Sequence, residues 1–238
     1  MAQSQKLRGQ PRGRVIAKRR SPLPLIIIVV VLLALVIGAV LASTRSQSAV
    51  SVAPFQPRAV TAPTGLTPEG YAYKGKPDAP VTVTEYGDFQ CPSCGLFATQ
   101  AEAAFETQYV DSGKVRLIYH DFPLPQHEHA ILAASAARAA GEQGKFWQMH
   151  ELLFARQREW STSANARGLM SGYANALGLD QKAFDQVLDA EKYTPALQAA
   201  AQQSSQRGVN STPTFEVNGK LVDASQLAAA VEAALQGK

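Results

Sequence analysis

Cysteine is scarce in this chain. Of 238 residues two are Cys, and Cys91 and Cys94 stand three positions apart. Two thiols that close together cannot staple distant elements, which excludes a disulfide-framework fold. A structural zinc site takes about four ligands, and two thiols do not supply them. His127 and His129, with His120 nearby, complete such a set on paper, but they follow Pro123-Leu124-Pro125 in what reads as a solvated loop. No metal and no cofactor is expected. Acids are absent from residues 1–42, which carry Lys6, Arg8, Arg12, Arg14, Lys18, Arg19 and Arg20. The net charge of +4 therefore belongs to the tail, and beyond it 16 Lys+Arg face 19 Asp+Glu. A mildly acidic remainder without a basic stripe argues against a nucleic-acid partner. No internal repeat is present.

Charge of either sign is missing from Leu25 to Ala42, 18 almost wholly apolar residues. At ~1.5 Å per residue such a helix crosses most of a ~30 Å hydrocarbon core. A transmembrane anchor is expected over residues 23–42. The cationic flank precedes it and only Arg45 follows closely, so residues 1–22 form a cytoplasmic tail and the rest lies outside the cell membrane. The rival reading is a signal peptide cleaved after Val40-Leu41-Ala42, but the apolar run exceeds the usual ~7–15 residues. Both readings export residues 43–238. No Cys lies near the segment, so a lipid-modified cysteine is excluded. Residues 43–68 are rich in Ser, Thr, Ala and Pro and read as a flexible tether.

A folded pattern begins near Glu69 and fills residues 69–238. Val81–Tyr86 alternates and is β-branched, hence a strand. Pro92 suits the first turn of a helix, expected to run to about Val110 and stop before Asp111-Ser112-Gly113. Val115–His120 is a second strand, and strand–helix–strand favours parallel pairing with a right-handed crossover. Residues 127–207 read as successive helices near 130–140, 145–156, 164–177, 181–188 and 195–207. Phe146 and Trp147, at helical spacing, belong to the core. Thr214–Val217, Asn218-Gly219 and Lys220–Val222 signal a hairpin with a type I′ turn, before a last helix over 226–235. The order β-α-β, helices, β-β-α describes an α/β sandwich with a helical insertion.

A Cys-x-x-Cys opening a helix after a buried strand has a chemical logic. Free N–H groups and the macrodipole stabilise a thiolate on the first Cys. One turn on, the second closes the ring and resolves mixed disulfides. Cys91 and Cys94 are the expected redox pair, with Pro92 and Ser93 tuning the backbone between them.

Glu85 through Cys94 (Glu-Tyr-Gly-Asp-Phe-Gln-Cys-Pro-Ser-Cys), with Val209-Asn210-Ser211-Thr212-Pro213-Thr214-Phe215, resembles the DsbA-like branch of the thioredoxin superfamily. His120–Leu124 and Gly144–Trp147 add to the likeness, which spans residues 69–238. The resemblance implies a thioredoxin-like α/β fold with a helical insertion at about 127–207. It implies that Cys91 is the exposed nucleophile, Cys94 the buried resolving thiol and Pro213 a cis proline after Thr212, facing the disulfide. It also implies a buried acid at Glu85, placed to exchange a proton with Cys94; Asp88 is given no role. The dipeptide Pro-Ser departs from the Pro-His of the best-known oxidases. No folded dimerisation module precedes the domain as in the isomerase relatives, and a monomer is expected. The leading expectation is a dithiol oxidase acting on exported proteins with thiols and recycled by a membrane redox partner. A reductase or isomerase using the same cysteines is the first alternative. The second is a non-catalytic metal-binding module built on Cys91, Cys94 and a His.

Overall fold

A computed structural model describes residues 32–33 and 53–237 of the chain. The basic tail at 1–22 and, apart from Leu32 and Leu33, the expected anchor at 23–42 lie outside the described residues. Among the described residues no helix is long and apolar enough to cross a membrane.

Six strands form one sheet in the order β1-β2-β4-β3-β5-β6. β3 (Val81–Gly87) and β4 (Val115–Asp121) are parallel and central, joined by the helical crossover that carries the cysteines. β2 (Ala72–Lys74) runs antiparallel to β4, and β1 (Thr64–Leu66) pairs with β2 at the edge. β5 (Thr214–Val217) runs antiparallel to β3, and β6 (Lys220–Asp223) closes the other edge. Asn218 and Gly219 adopt φ of 45° and 92°, as a type I′ hairpin turn requires.

Strand pairing decides which side chains share a face, because residues directly opposite point the same way. Ala72, Tyr119, Glu85 and Phe215 form one cross-sheet row, and Lys74, Leu117, Val83 and Val217 the next on the same face. Helix α1 (Pro92–Gln100) packs there, with Phe97 against Phe215 at 4.7 Å between ring centroids. The single helix expected to reach Val110 is broken instead. Ala101 leaves helical geometry at φ −120°, α2 covers Glu102–Phe105, and a π-helical turn follows over Glu106–Val110. Beyond the break, Glu102 and Glu106 both reach one ammonium, that of Lys74.

The insertion comprises α3 (Ala130–Glu142), α4 (Phe146–Ala155), α5 (Gln157–Trp160), α6 (Ala166–Ala176), α7 (Gln181–Asp189) and α8 (Thr194–Gln206). α3 buries a run of alanines, which lets neighbouring helices approach closely, and Phe146, Trp147, Met149 and Trp160 fill the core between them. Cys91, Cys94 and Phe89 belong to this core, while Phe97 and Phe105 pack under the sheet with Val231 of α9 (Leu227–Leu235). The cysteine pair thus sits on the seam between insertion and sheet.

One boundary differs from expectation. The segment read as a tether over 43–68 is laid on the domain from its middle onward, ending in β1. Arg58 binds Glu151 through its backbone N–H (2.7 Å) and its Nε (2.9 Å), and Thr61 donates to Asp111 at 2.8 Å. Low hydropathy periodicity concealed this, because the segment is held by polar side chains, one edge pairing and the isolated apolar contacts of Phe55 and Ala62 rather than by a periodic apolar face.

Candidate active site

Cys91 is the N-cap of α1, extended at φ −69° and ψ 123°, with Pro92 in the first turn. Its N–H donates to the Asp88 carbonyl at 3.0 Å, and its carbonyl receives the Gly95 N–H at 3.1 Å. Cys94, one turn along, is fully buried, whereas Cys91 keeps 7% of its surface. Both are free thiols. The Cys91 thiol reaches the Thr212 carbonyl at 3.4 Å, and the Thr212–Pro213 peptide is cis. The structure therefore brings Cys91, Cys94, Thr212 and Pro213 together, 121 residues apart in sequence at the Cys91–Thr212 contact.

The two sulfurs are electrostatically unlike. Hydrogen bonding from Cys94, opposed by burial and helped by Thr212 and by the N–H groups of Cys94 and Ser93, pulls the Cys91 thiol down to about 5. Burial first, then hydrogen bonding to Cys91 and the nearby Glu85, pushes Cys94 well above its ordinary value. Glu85 is itself buried at 1% exposure, with Oε1 lacking a hydrogen-bond partner. Burial, reinforced by Glu102 and opposed by Lys74, raises its carboxyl well above the usual range. Cys91 is thus not the exposed nucleophile expected but a nearly buried one, because Thr212 and the loop after β4 close over it. The arrangement holds its thiolate just beneath the surface with a proton-bearing thiol and acid behind it.

Three polar residues to which sequence reasoning assigned no role hold the catalytic turn. Asp88 is buried; Oδ1 accepts from Gln90 N at 2.7 Å, and Oδ2 accepts from Leu124 N at 2.9 Å and His127 Nδ1 at 2.7 Å. It ties the turn before Cys91 to the loop after β4. Gln157, at the start of α5, donates through Nε2 to the carbonyls of Phe89 (2.7 Å) and Cys91 (2.9 Å). Gln90 answers from the other side, donating to Ser161 O at 2.7 Å and accepting from His129 N at 2.6 Å. Two glutamines thus pin the insertion to the redox turn. Asp88 stood in the motif itself, but nothing in the sequence marks Gln157, 66 residues away.

His120 and His127 part company: His120 is stacked on Tyr71 at 3.9 Å while His127 is held by Asp88. Among the described residues no group of three or more His, Cys, Asp or Glu is placed to hold a metal ion. Beside Cys91 a cavity of about 560 Å³ is bounded by Phe122, Leu124, His127, Val209 and Thr212. A second, of about 490 Å³, opens on the far side of α1 around Leu96, Phe154 and Arg156.

A sheet with a helix-borne cysteine pair, a facing cis proline and a helical insertion defines a thioredoxin-fold protein. Residues 67–237 match the family model described as Thioredoxin, and the chain belongs to the thioredoxin family, in its DsbA-like branch. It is 28% identical over 181 residues to disulfide bond formation protein D of Bacillus subtilis, covering 71% of this chain and 79% of that one. The crystal structure of oxidised BdbD from Bacillus subtilis superposes with a TM-score of 0.63 at 26% identity, covering 79% of this chain and all of that one. The chain is also 38% identical over 177 residues to a protein named Na(+)/H(+) antiporter NhaA 1 of Salinispora arenicola. That match covers 72% of this chain but 26% of the relative, whose name describes the whole protein.

Proposed function

We propose that the protein is a membrane-anchored, extracytoplasmic thiol–disulfide oxidoreductase working as a dithiol oxidase on exported proteins. The observation that carries this reading is the contrast between the sulfurs: a stabilised thiolate at Cys91 over a buried, proton-bearing Cys94. A disulfide whose reduced form is stabilised in this way gives up its oxidising equivalents readily.

A substrate thiolate attacks Sγ of Cys91 in the disulfide form; the Cys91–Cys94 bond breaks and its electron pair goes to Cys94. That sulfur is shielded from water, so it takes its proton from inside, and Glu85 is the nearby carboxyl with a proton to give. A second substrate thiolate then displaces Cys91, which leaves as a thiolate. The substrate has lost two electrons and the protein has gained them, to be passed to a membrane redox partner. An extended substrate strand fits between Thr212 and the Leu124–His127 side of the 560 Å³ cavity, where backbone groups of the proline loop face Cys91. The apolar run at 25–42 and its cationic flank support anchoring with the catalytic domain outside.

Equilibration of the Cys91–Cys94 couple in glutathione buffers tests the direction. A potential well above about −270 mV, towards about −120 mV, supports the oxidase. A value near the lower figure moves the reading to a reductase, and the absence of a reversible two-electron couple sinks the redox assignment.

A further inference from the structure

Behind the redox pair a row of charges runs from the surface to the interior. It begins in the docked segment at 53–63, outside the residues that match the family model. Arg58 Nη1 lies 3.2 Å from Glu106 Oε2; Glu106 pairs with Lys74 through its other oxygen; Lys74 Nζ donates to Glu102 Oε1 at 3.1 Å. Exposure falls along the row, from 42% of the Arg58 side chain to 15% for Glu106, 7% for Lys74 and 2% for Glu102. The inner end lies on the sheet face that carries Glu85, where Lys74 and Glu85 occupy adjacent cross-strand rows around Leu117 and Tyr119.

We propose that Arg58 is a positioning residue of the redox centre: by pairing with Glu106 it holds Lys74 against Glu102, and so sets the charge that Glu85 and Cys94 face during exchange. The assignment rests on the oxidoreductase reading above and adds to it a residue that touches neither sulfur.

The magnitudes favour an electrostatic role over a structural one. An ion pair on a 42%-exposed arginine contributes about 0–1 kcal/mol to folding. The same charge acts on groups that water hardly screens, because Lys74, Glu102 and Glu85 are all buried. The groups that act on Glu85 are Lys74 from β2, Tyr119 from β4, Cys94 from α1 and Glu102 from α2, with the ring of His150 on α4 packed edge-on to Tyr119. Tyr119 has an unpartnered hydroxyl, and His150 is held neutral at about 4 by burial. Lys74 is thus the one cation among them, and its ammonium is fixed by Glu106 below and by the Trp147 ring at 4.0 Å. A cavity of about 220 Å³ under the segment, walled by Arg58, Lys74, Glu106, Trp147, His150 and Glu151, marks where solvent approaches the row. Loss of Arg58 removes a positive charge and frees Glu106 to draw Lys74 outward. Both changes make ionisation at Glu85 and Cys94 harder.

The test follows oxidation of the reduced full-length protein, in detergent, by glutathione disulfide in a stopped-flow instrument between pH 5 and 10. The first phase joins glutathione to Cys91, and the second is its expulsion by Cys94, whose rate rises as the Glu85–Cys94 set ionises. For Arg58→Gln the midpoint of that rise moves up by about half a pH unit, so that on the rising limb the second phase slows about threefold. Arg58→Lys returns the midpoint most of the way to the wild-type value. Thr61→Val, which loosens the same segment without changing charge, leaves the midpoint where it was. An unmoved midpoint in Arg58→Gln, or an equal shift in Thr61→Val, overturns the assignment. A wild-type protein with no second phase would remove the oxidoreductase reading itself, and this one with it.

Discussion

At the residue scale the two thiols carry opposite proton preferences, and this has thermodynamic consequences. Cys91 in the folded, reduced protein sits near 5, below its ordinary 9.0. A depressed acid stabilises the fold at pH above its unfolded value and loses that contribution as pH falls through the folded value. Only the reduced form has this thiol. Reduced protein is therefore expected to gain stability over oxidised protein as pH rises from about 5 to 9, read as a widening gap between their urea midpoints. The reduction potential should fall by about 30 mV per pH unit above pH 5, where one proton accompanies two electrons, and by about 60 mV per unit below it. A single slope through pH 5 would contradict a stabilised thiolate at Cys91. Glu85 has the opposite sign. Its folded value lies above the ordinary 4.5, so stability is lost as pH rises through the window that starts there. Glu85→Gln is expected to stabilise the oxidised protein at pH 7 by about 1–2 kcal/mol while slowing turnover about tenfold or more, checked by urea unfolding and by oxidation of a reduced peptide.

At the scale of elements the Gln157 amide clamps the start of α5 to the turn that opens α1. The Gln157 side chain donates to Phe89 O and Cys91 O, and its Oε1 lies against Gly95, where an added Cβ would stand 2.7 Å away. Gly95 is thus glycine because the clamp passes over it. Gly95→Ala is expected to push the amide off its two carbonyls and to reproduce Gln157→Ala, each costing about 1–3 kcal/mol. Because both act on one contact, the double variant should cost clearly less than the sum of the singles. Strict additivity in denaturant unfolding would show that the clamp is not shared. The break at Ala101 and the π-helical turn after it belong to this scale too. Glu102 and Glu106, four positions apart, share one helix face and both meet Lys74, while Phe105 and Tyr109, also four apart, stay under β3 and β4.

At the scale of the whole molecule the sheet and the insertion have separate cores, and the redox pair lies where they meet. If residues 23–42 anchor the chain as proposed, the full-length protein stays in the membrane pellet through an alkaline carbonate wash, and protease added outside the cell removes the catalytic domain. Recovery in the wash would place it free outside the membrane instead. Much of this architecture is legible along the chain because it is local. Hydrophobic period distinguishes Val81–Tyr86 from the helices of 127–207, Asn218-Gly219 announces its own turn, and Cys91-Pro92-Ser93-Cys94 carries its chemistry within one helical turn. The likeness of Thr212-Pro213 to a known loop even anticipated its place against Cys91. The short strands β1 and β2 escaped, because three residues at a sheet edge have no period to detect, and their pairing exists only once β4 is in place. The hold of Asp88 on the next loop, the Gln157 clamp and the row from Arg58 to Glu102 were likewise beyond a linear reading. Local spacing determines which residues can share an element. Which polar groups are shut away from water together, and so which protons are held and which are released, is decided only when distant segments close over them.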